Sequence, residues 1–497
     1  MYLLGYDIGS SSVKASIINA ETGVCTASAF SPKEEMPIMA LQPGWAEQDP
    51  AMWWQNLKLA TREVLAKSAI SPGNLKAIGI SYQMHGLVIV DKAQKVLRPA
   101  IIWCDSRAVP IGNKAFSEIG GERCLERLLN SPGNFTASKL KWVRDNEPAI
   151  FDRIYKMMLP GDYIAMRLSG EISTTASGLS EGILWDFRRN QQANLLLDHY
   201  GIPPEMIPDL VQTFSCQTRL SSQAAMELGL TPGTAIAYRA GDQPNNALSL
   251  NVLQPGEIAA TAGTSGVVYG VSDEIRCDPQ SRVNTFLHVN HNDTETRLGV
   301  LLCINGTGIL NSWIRKNILP SGISYDEMNN LASEIPVGSG GISVLPFGNG
   351  AERMLGNREI GGMVSGINFN LHAAAHLVRA AHEGVAFAFK YGMDIMKSIG
   401  IDPGIIRAGY ANMFLSPVFR ETLANVSDVT IEMFDTDGSQ GAARGAGIGI
   451  GHYASPGEAF SGLKRRMIVE PSKVAIGQSN EAYINWLGAL DKALRLV

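Results

Sequence analysis

Paired cysteine spacing is missing from this chain. Its six cysteines, Cys25, Cys104, Cys124, Cys216, Cys277 and Cys303, are scattered over 497 residues with no CxxC and no repeated interval. A disulfide framework is excluded, and the thiols read as reduced small hydrophobes of a cytosolic protein. Long apolar runs are lacking too. No stretch reaches the roughly 18 apolar residues that signal a membrane-crossing helix, and MYLLGYDIGSSSVK has neither the basic start nor the apolar length of a secretory leader. A membrane partner is therefore not expected. Nor is there an excess of positive charge: 42 Lys and Arg face 47 Asp and Glu, for a net charge of -5. The longest basic cluster, Lys464-Arg465-Arg466, reads as a solvated patch, so nucleic acid is not an expected partner.

What is present is ordinary globular composition, 45% hydrophobic and 18% charged, in a chain long enough for two domains. Tyr2 to Asp7 reads as an apolar strand, Gly9 to Ser12 as a tight turn, and Val13 to Asn19 as a second strand. A hairpin turn at 19–23 leads to a third. From Met52 to Ser68 apolar residues recur at helical spacing, with Asp49-Pro50 suited to opening the helix. Residues 75–80 and 86–90 return to strand character, and the continuing alternation makes the class α/β. A fainter echo follows: strand 257–262, small-residue turn 263–266, strand 267–271. Two copies of one unit would place two small-residue turns facing each other across a cleft. The boundary is expected near 248–255, with one domain over 1–247 and the other over 248–497.

Five segments could carry chemistry. In Asp7-Ile8-Gly9-Ser10-Ser11-Ser12-Val13-Lys14, backbone N–H groups and hydroxyls could converge on an anion, and Asp7 could hold Mg²⁺. A Ser-rich hairpin capped by Asp7 is the plainer reading. Ala240-Gly241-Asp242-Gln243 offers a carboxylate that could accept a hydroxyl proton during phosphoryl transfer, although an Asp after Gly is usually a turn residue. Gly263-Thr264-Ser265-Gly266 is a second candidate phosphate clamp or an ordinary turn. Met84 and His85, with Trp103 and Asp105, combine polar groups with apolar walls, as sugar sites commonly do. A histidine at a strand end is also a common structural hydrogen bonder. Gly409-Tyr410-Ala411-Asn412 and the run from Gly438 to Gly441 could let a flat adenine approach the backbone, and tight helix packing explains those glycines equally well. His372 and His376 imitate a zinc pair, but no HExxH is present and the surrounding run reads as a packed helix.

Taken in order, these segments resemble the FGGY family of carbohydrate kinases, and within it the xylulokinase branch. The likeness runs through Trp45-Ala46-Glu47-Gln48-Asp49-Pro50, Gln83-Met84-His85-Gly86, Arg98 to Trp103 with Asp105 and Arg107, Thr136 to Leu140, Leu159 to Tyr163, Gly263 to Gly266 and His382-Glu383-Gly384. The resemblance implies two ribonuclease-H-like domains of the actin and hexokinase type, with an ATP and sugar cleft between them. It implies ATP and Mg²⁺ as cofactors, Asp242 as the base, and Asp7 and Asp242 at the metal. Gly9, Ser10, Ser11, Ser12, Lys14, Gly263, Thr264 and Ser265 would hold phosphates. Gly409, Tyr410, Ala411, Asn412, Gly438 and Gly441 would line the adenosine. Met84, His85, Trp103, Asp105, Asp242 and Gln243 would face the sugar.

Three departures stand out. Gln243 replaces the Asn usual in xylulokinases and resembles glycerol kinases, yet Tyr82-Gln83-Met84-His85 differs from their Asn-Gln-Arg-Glu. The adenosine segment around Gly409 is altered, and the usual Gly-Glu-Arg-Thr-Pro is Gly350-Ala351-Glu352-Arg353-Met354-Leu355 here. The expected reaction is phosphorylation of a pentulose, D-xylulose first, with ribulose, gluconate or another sugar acid as alternatives. An ATP-gated binding protein is the reading from another class. A homodimer is the default for a soluble enzyme.

Overall fold

A computed structural model of the chain describes residues 1–496. Its contacts resolve two compact units. The first comprises Met1–Leu253, Thr285–Leu298 and Thr436–Leu463; the second comprises Gln254–Asn284, Gly299–Asp435 and the chain from Lys464 onward.

The first unit is built on β1 (Tyr2–Ile8), β2 (Val13–Asn19), β3 (Cys25–Ser31), β4 (Leu75–Tyr82), β5 (Phe214–Arg219) and β6 (Ala235–Gly241), in the order β5-β6-β4-β1-β2-β3. β1 is antiparallel to β2 and parallel to β4, which is parallel to β6. These central strands read as nearly unbroken apolar runs because both faces are covered, the rule for parallel strands. One face meets the helix Pro50–Ser68, opened by Asp49 and packed through Trp53, Leu57, Ala60 and Val64. On the other face the helix Gly438–Gly449 lies against the strands. A Cβ on Gly5 would stand 1.9 Å from the Ser439 carbonyl oxygen, and one on Gly79 1.9 Å from that of Ala442.

Register decides where chemistry can gather. Ile8 pairs with Tyr82, and Tyr82 pairs with Gly241, so β1, β4 and β6 end at one level. The carboxyl ends of parallel strands are where α/β sheets place ligands.

The second unit repeats the opening motif. β7 (Glu257–Ala262), β8 (Gly266–Ser272), β9 (Leu298–Ile304), β10 (Ile405–Gly409), β11 (Ile431–Phe434) and β12 (Arg465–Val469) run in the order β9-β8-β7-β10-β11-β12. β7 is antiparallel to β8 and parallel to β10, as β1 is to β2 and β4. The helix Ala374–Ser398 buries Val385, Ala386, Phe387 and Phe389 in this unit's core. Trp486 joins them, its indole N–H donating to the Val344 carbonyl at 2.8 Å. Among the described residues no helix is long and apolar enough to cross a membrane.

Candidate active site

In the first unit the ends of β1, β4 and β6 bring together Asp7, Met84, His85 and Asp242. The turn after β1 closes with the Gly9 amide donating to the Ser12 carbonyl at 3.0 Å. Asp7, one residue before the end of β1, accepts from the Ser81 hydroxyl at 2.9 Å. Burial raises its pKa; Lys14 and the Ser81 bond oppose that, and Asp437 adds to it. Asp242 opens the helix Asp242–Ser249 directly after β6. Its pKa is pushed up to about 7, first by burial and then by the negative charge of Asp7, with Gln243 pulling the other way. Two neighbouring carboxylates that disfavour each other's ionisation form a concentration of oxygen donors and negative charge. That donor set fits a hard divalent cation such as Mg²⁺.

Met84 and His85 follow β4. Met84 is buried, whereas His85 is partly exposed with φ at 61° and its ring 4.8 Å from Phe135 and 5.5 Å from Phe286. The His85 Nδ1 lies 2.9 Å from the Glu181 carbonyl oxygen. A carbonyl only accepts, so Nδ1–H is the donor in this bond. Trp103 is half exposed and donates from its indole to the Ser10 hydroxyl at 3.3 Å.

Asp105 departs from expectation. It is fully buried, and its carboxylate is engaged by the Arg107 guanidinium at 2.7 to 3.0 Å and by the Ala46 amide at 2.6 Å. Arg107 in turn lies 3.8 Å over the Trp45 ring. The nearer cation captures the carboxylate, so Asp105 shapes the loop that carries Trp103.

Glu181 had no sequence signal of its own, whereas Gln83 and Gln243 stand in motifs already named. Both amide atoms of Gln83 and Oε1 of Gln243 are buried without a hydrogen-bond partner, and the buried Glu181 carboxyl has the Tyr82 hydroxyl beside it. Glu181 packs beneath the Asp242 turn: a Cβ on Gly241 would stand 2.3 Å from its Oε2 and 2.6 Å from Met84 Cγ. Burial holds the Glu181 carboxyl well above the usual range, with the charges of Asp242 and Asp162 adding to it and Tyr82 opposing. Unpartnered polar atoms in a protein interior are costly and ask for an explanation, of which a polyhydroxylated ligand is one. Residues from four separate segments make this cluster, which is why spacing along the chain did not reveal it.

Gly438 and Gly441 also belong to the first unit. A Cβ on Gly438 would come 2.6 Å from an Asp7 carboxylate oxygen; one on Gly441 would come 2.7 Å from the Ser249 Cβ. Both glycines are accounted for by close packing of their own helix. Asn245 extends that contact, donating to the Gly438 carbonyl at 2.8 Å.

In the second unit the turn after β7 is held by the Gly308 and Ile309 amides, which donate to the Gly263 and Thr264 carbonyls at 2.9 and 3.0 Å. Beside it lies a cavity of about 440 Å³ lined by Gly263, Thr264, Ile309, Asn311, Tyr325, Asp326, Asn329 and Asn412, among others. Thr264 and Ser265 are exposed, as are Tyr410, Ala411 and Asn412. Asn412 opens a short turn before the helix Pro417–Ser427, which is where the sequence departs from the family pattern. Tyr325, Asp326 and Asn329 come from a helix that no motif marked. His372 and His376 bond to backbone: His372 Nε2 lies 3.1 Å from the Gly340 carbonyl, and His376 Nδ1 accepts from the Ala373 amide at 3.2 Å.

Residues 2–249 match the N-terminal domain of the FGGY family of carbohydrate kinases, and residues 258–449 match its C-terminal domain. The xylulose kinase of Escherichia coli K12 is 29% identical over 493 residues, covering 97% of this chain and 96% of that protein. The crystal structure of xylulose kinase from Rhodospirillum rubrum superposes with a TM-score of 0.89 at 25% identity, over 99% of both chains. Gluconate kinase from Lactobacillus acidophilus shares the fold, with a TM-score of 0.89 at 20% identity over 99% of this chain and 98% of that one.

Proposed function

The chain belongs to the FGGY family of carbohydrate kinases, and from that premise we propose that it phosphorylates a pentulose, D-xylulose before others, with ATP as donor. The observation that carries the reading is the convergence of Asp242, Asp7 and the Met84–His85 turn at the ends of three parallel strands in register. The unpartnered polar atoms of Gln83 and Gln243 lie in the same segments, and the Glu181 carboxyl packs beneath Gly241. A carboxylate, an imidazole and spare amide groups are what a polyhydroxylated acceptor needs.

Asp242 takes the proton of the acceptor hydroxyl as that oxygen bonds to the γ-phosphorus and the bond to the departing ADP oxygen breaks. Asp7 and Asp242 would hold Mg²⁺, which supplies positive charge to the phosphoryl oxygens. The turn at Gly9 to Ser12 with Lys14, and that at Gly263 to Ser265, would hold phosphates. The cavity beside Thr264 and Asn412 would take the nucleoside. Xylulose is favoured over glycerol because Met84 and His85 stand where glycerol kinases carry Arg and Glu, and because the relative from Escherichia coli is a xylulose kinase.

The test is ADP release with Mg·ATP over D-xylulose, D-ribulose, L-ribulose, gluconate and glycerol. D-xylulose should give the highest kcat/KM, and Asp242→Asn should lose about 10²- to 10⁴-fold in rate. A different preferred sugar overturns the substrate, and full activity in Asp242→Asn overturns the base.

A further inference from the structure

Lys139 lies on the helix Thr136–Asn146 and is fully buried. Lysine is seldom fully buried unless paired, because removing an ammonium from water is costly. Here Nζ donates to the carbonyl oxygen of His85 at 2.8 Å and to that of Ile102 at 2.9 Å. Its two acceptors are remote in sequence, and each adjoins a side chain assigned to the sugar: His85 itself, and Trp103, which follows Ile102. The backbone at His85 is left-handed, with φ at 61°, a conformation that costs a histidine on the order of 1 kcal/mol or more. That conformation persists only where the surroundings impose it. The Glu181 carbonyl fixes the ring from one side, and the Lys139 ammonium fixes the peptide from the other.

A lysine of this kind could be mere filling. Yet an apolar side chain would leave two buried carbonyl oxygens unpaired. What marks the position is that those two carbonyls come from two walls of one site.

We propose that Lys139 is a positioning residue. By holding His85 and Ile102 through their carbonyl oxygens, it sets the spacing between the Met84–His85 turn and Trp103, and with it the affinity for the acceptor sugar. The proposal rests on the kinase reading above. Asp105 and Arg107, also near Lys139, are committed to each other and leave both carbonyl contacts in place.

The deciding variant is Lys139→Met. Its KM for the sugar should rise about tenfold or more, as a small misplacement of a binding group is enough to do. Its kcat and its KM for ATP should stay near wild type, while its melting temperature falls modestly because two buried carbonyls lose their donor. In ¹⁵N-histidine spectra of the sugar-free protein, the His85 signal, assigned by its loss in His85→Gln, should move in Lys139→Met. An unchanged sugar KM together with an unmoved His85 signal overturns the proposal. So does a loss shared equally with ATP, which marks general damage. If Lys139→Met does not fold, Lys139→Gln is measured in its place; if neither folds, Lys139 is a structural residue and the proposal is overturned. If the wild type phosphorylates none of the sugars, the kinase reading falls and the His85 signal alone decides the role of Lys139.

Discussion

At Asp7 a carboxylate with a raised pKa sits close enough to Asp242 to raise that pKa as well. A proton relieves such a pair, and so does a divalent cation, which is the reason for assigning Mg²⁺ to these two side chains. Asp7→Asn should therefore raise the Mg²⁺ concentration for half-maximal rate about tenfold, equivalent to about 1.4 kcal/mol of lost binding. A magnesium titration of ADP release checks it, and an unchanged midpoint removes Asp7 from the metal. Asp7 and Asp242 were singled out in the sequence because each stands at the end of an apolar strand, Asp7 ahead of the small-residue turn at Gly9 and Asp242 at the start of a helix. Glu181 was not. It lies about 60 residues before Asp242, with nothing around it to mark a carboxyl that folding places under Gly241. Asp105 shows the reverse limit, since its type and motif pointed to the sugar while the nearby Arg107 captured its charge.

Elements differ in how much freedom their glycines leave. Gly79 lies in β4, where a methyl group would collide with the Ala442 carbonyl of the covering helix, and neither backbone can move alone. Gly79→Ala should lower stability by about 1–3 kcal/mol, the usual cost of overpacking. Gly488, on the helix Ala475–Leu494, would place a Cβ in open space. Gly488→Ala should raise stability by about 0.5–1 kcal/mol, because alanine loses less conformational freedom in a helix. Urea denaturation of both variants reads the two signs; a neutral Gly79→Ala would contradict the packing seen here. Sequence alone presents both as glycines amid apolar residues, and only the neighbour across the interface separates them. The strands and the helix Pro50–Ser68 were legible because their periodicity is local. The short strand Val88–Val90 begins later than its apolar run because the left-handed turn at His85 interrupts it.

Over the whole molecule, buried titratable groups of opposite sign act in one pH window. His288, in the first unit, has its pKa drawn down to about 3 by burial, so the folded chain leaves it neutral while the unfolded chain protonates it near 6.5. Its contribution to stability is complete above about pH 6.5 and is lost as the pH falls toward 3. Glu352, in the second unit, is raised to about 7 by burial, so the folded chain keeps its proton where the unfolded chain has lost it. Its contribution is present below about pH 4.5 and is lost as the pH rises toward 7. His288→Gln should accordingly move the pH of maximum stability downward, and Glu352→Gln should move it upward. Urea midpoints from pH 4 to 8 test both, and a shift of either in the other direction refutes the linkage. The sequence by itself determined the α/β class, the repeated strand–turn–strand opening and the family, because these are carried by local periodicity and by motifs in a set order. Only the tertiary structure decided that Asp105 turns inward to Arg107, that Glu181 lies under Gly241, and that Lys139 bonds the His85 and Ile102 carbonyls. They depend on which groups folding brings within hydrogen-bond distance, about 3 Å, or into contact, as Gly241 is brought over Glu181 and the His85 and Ile102 carbonyls onto Lys139.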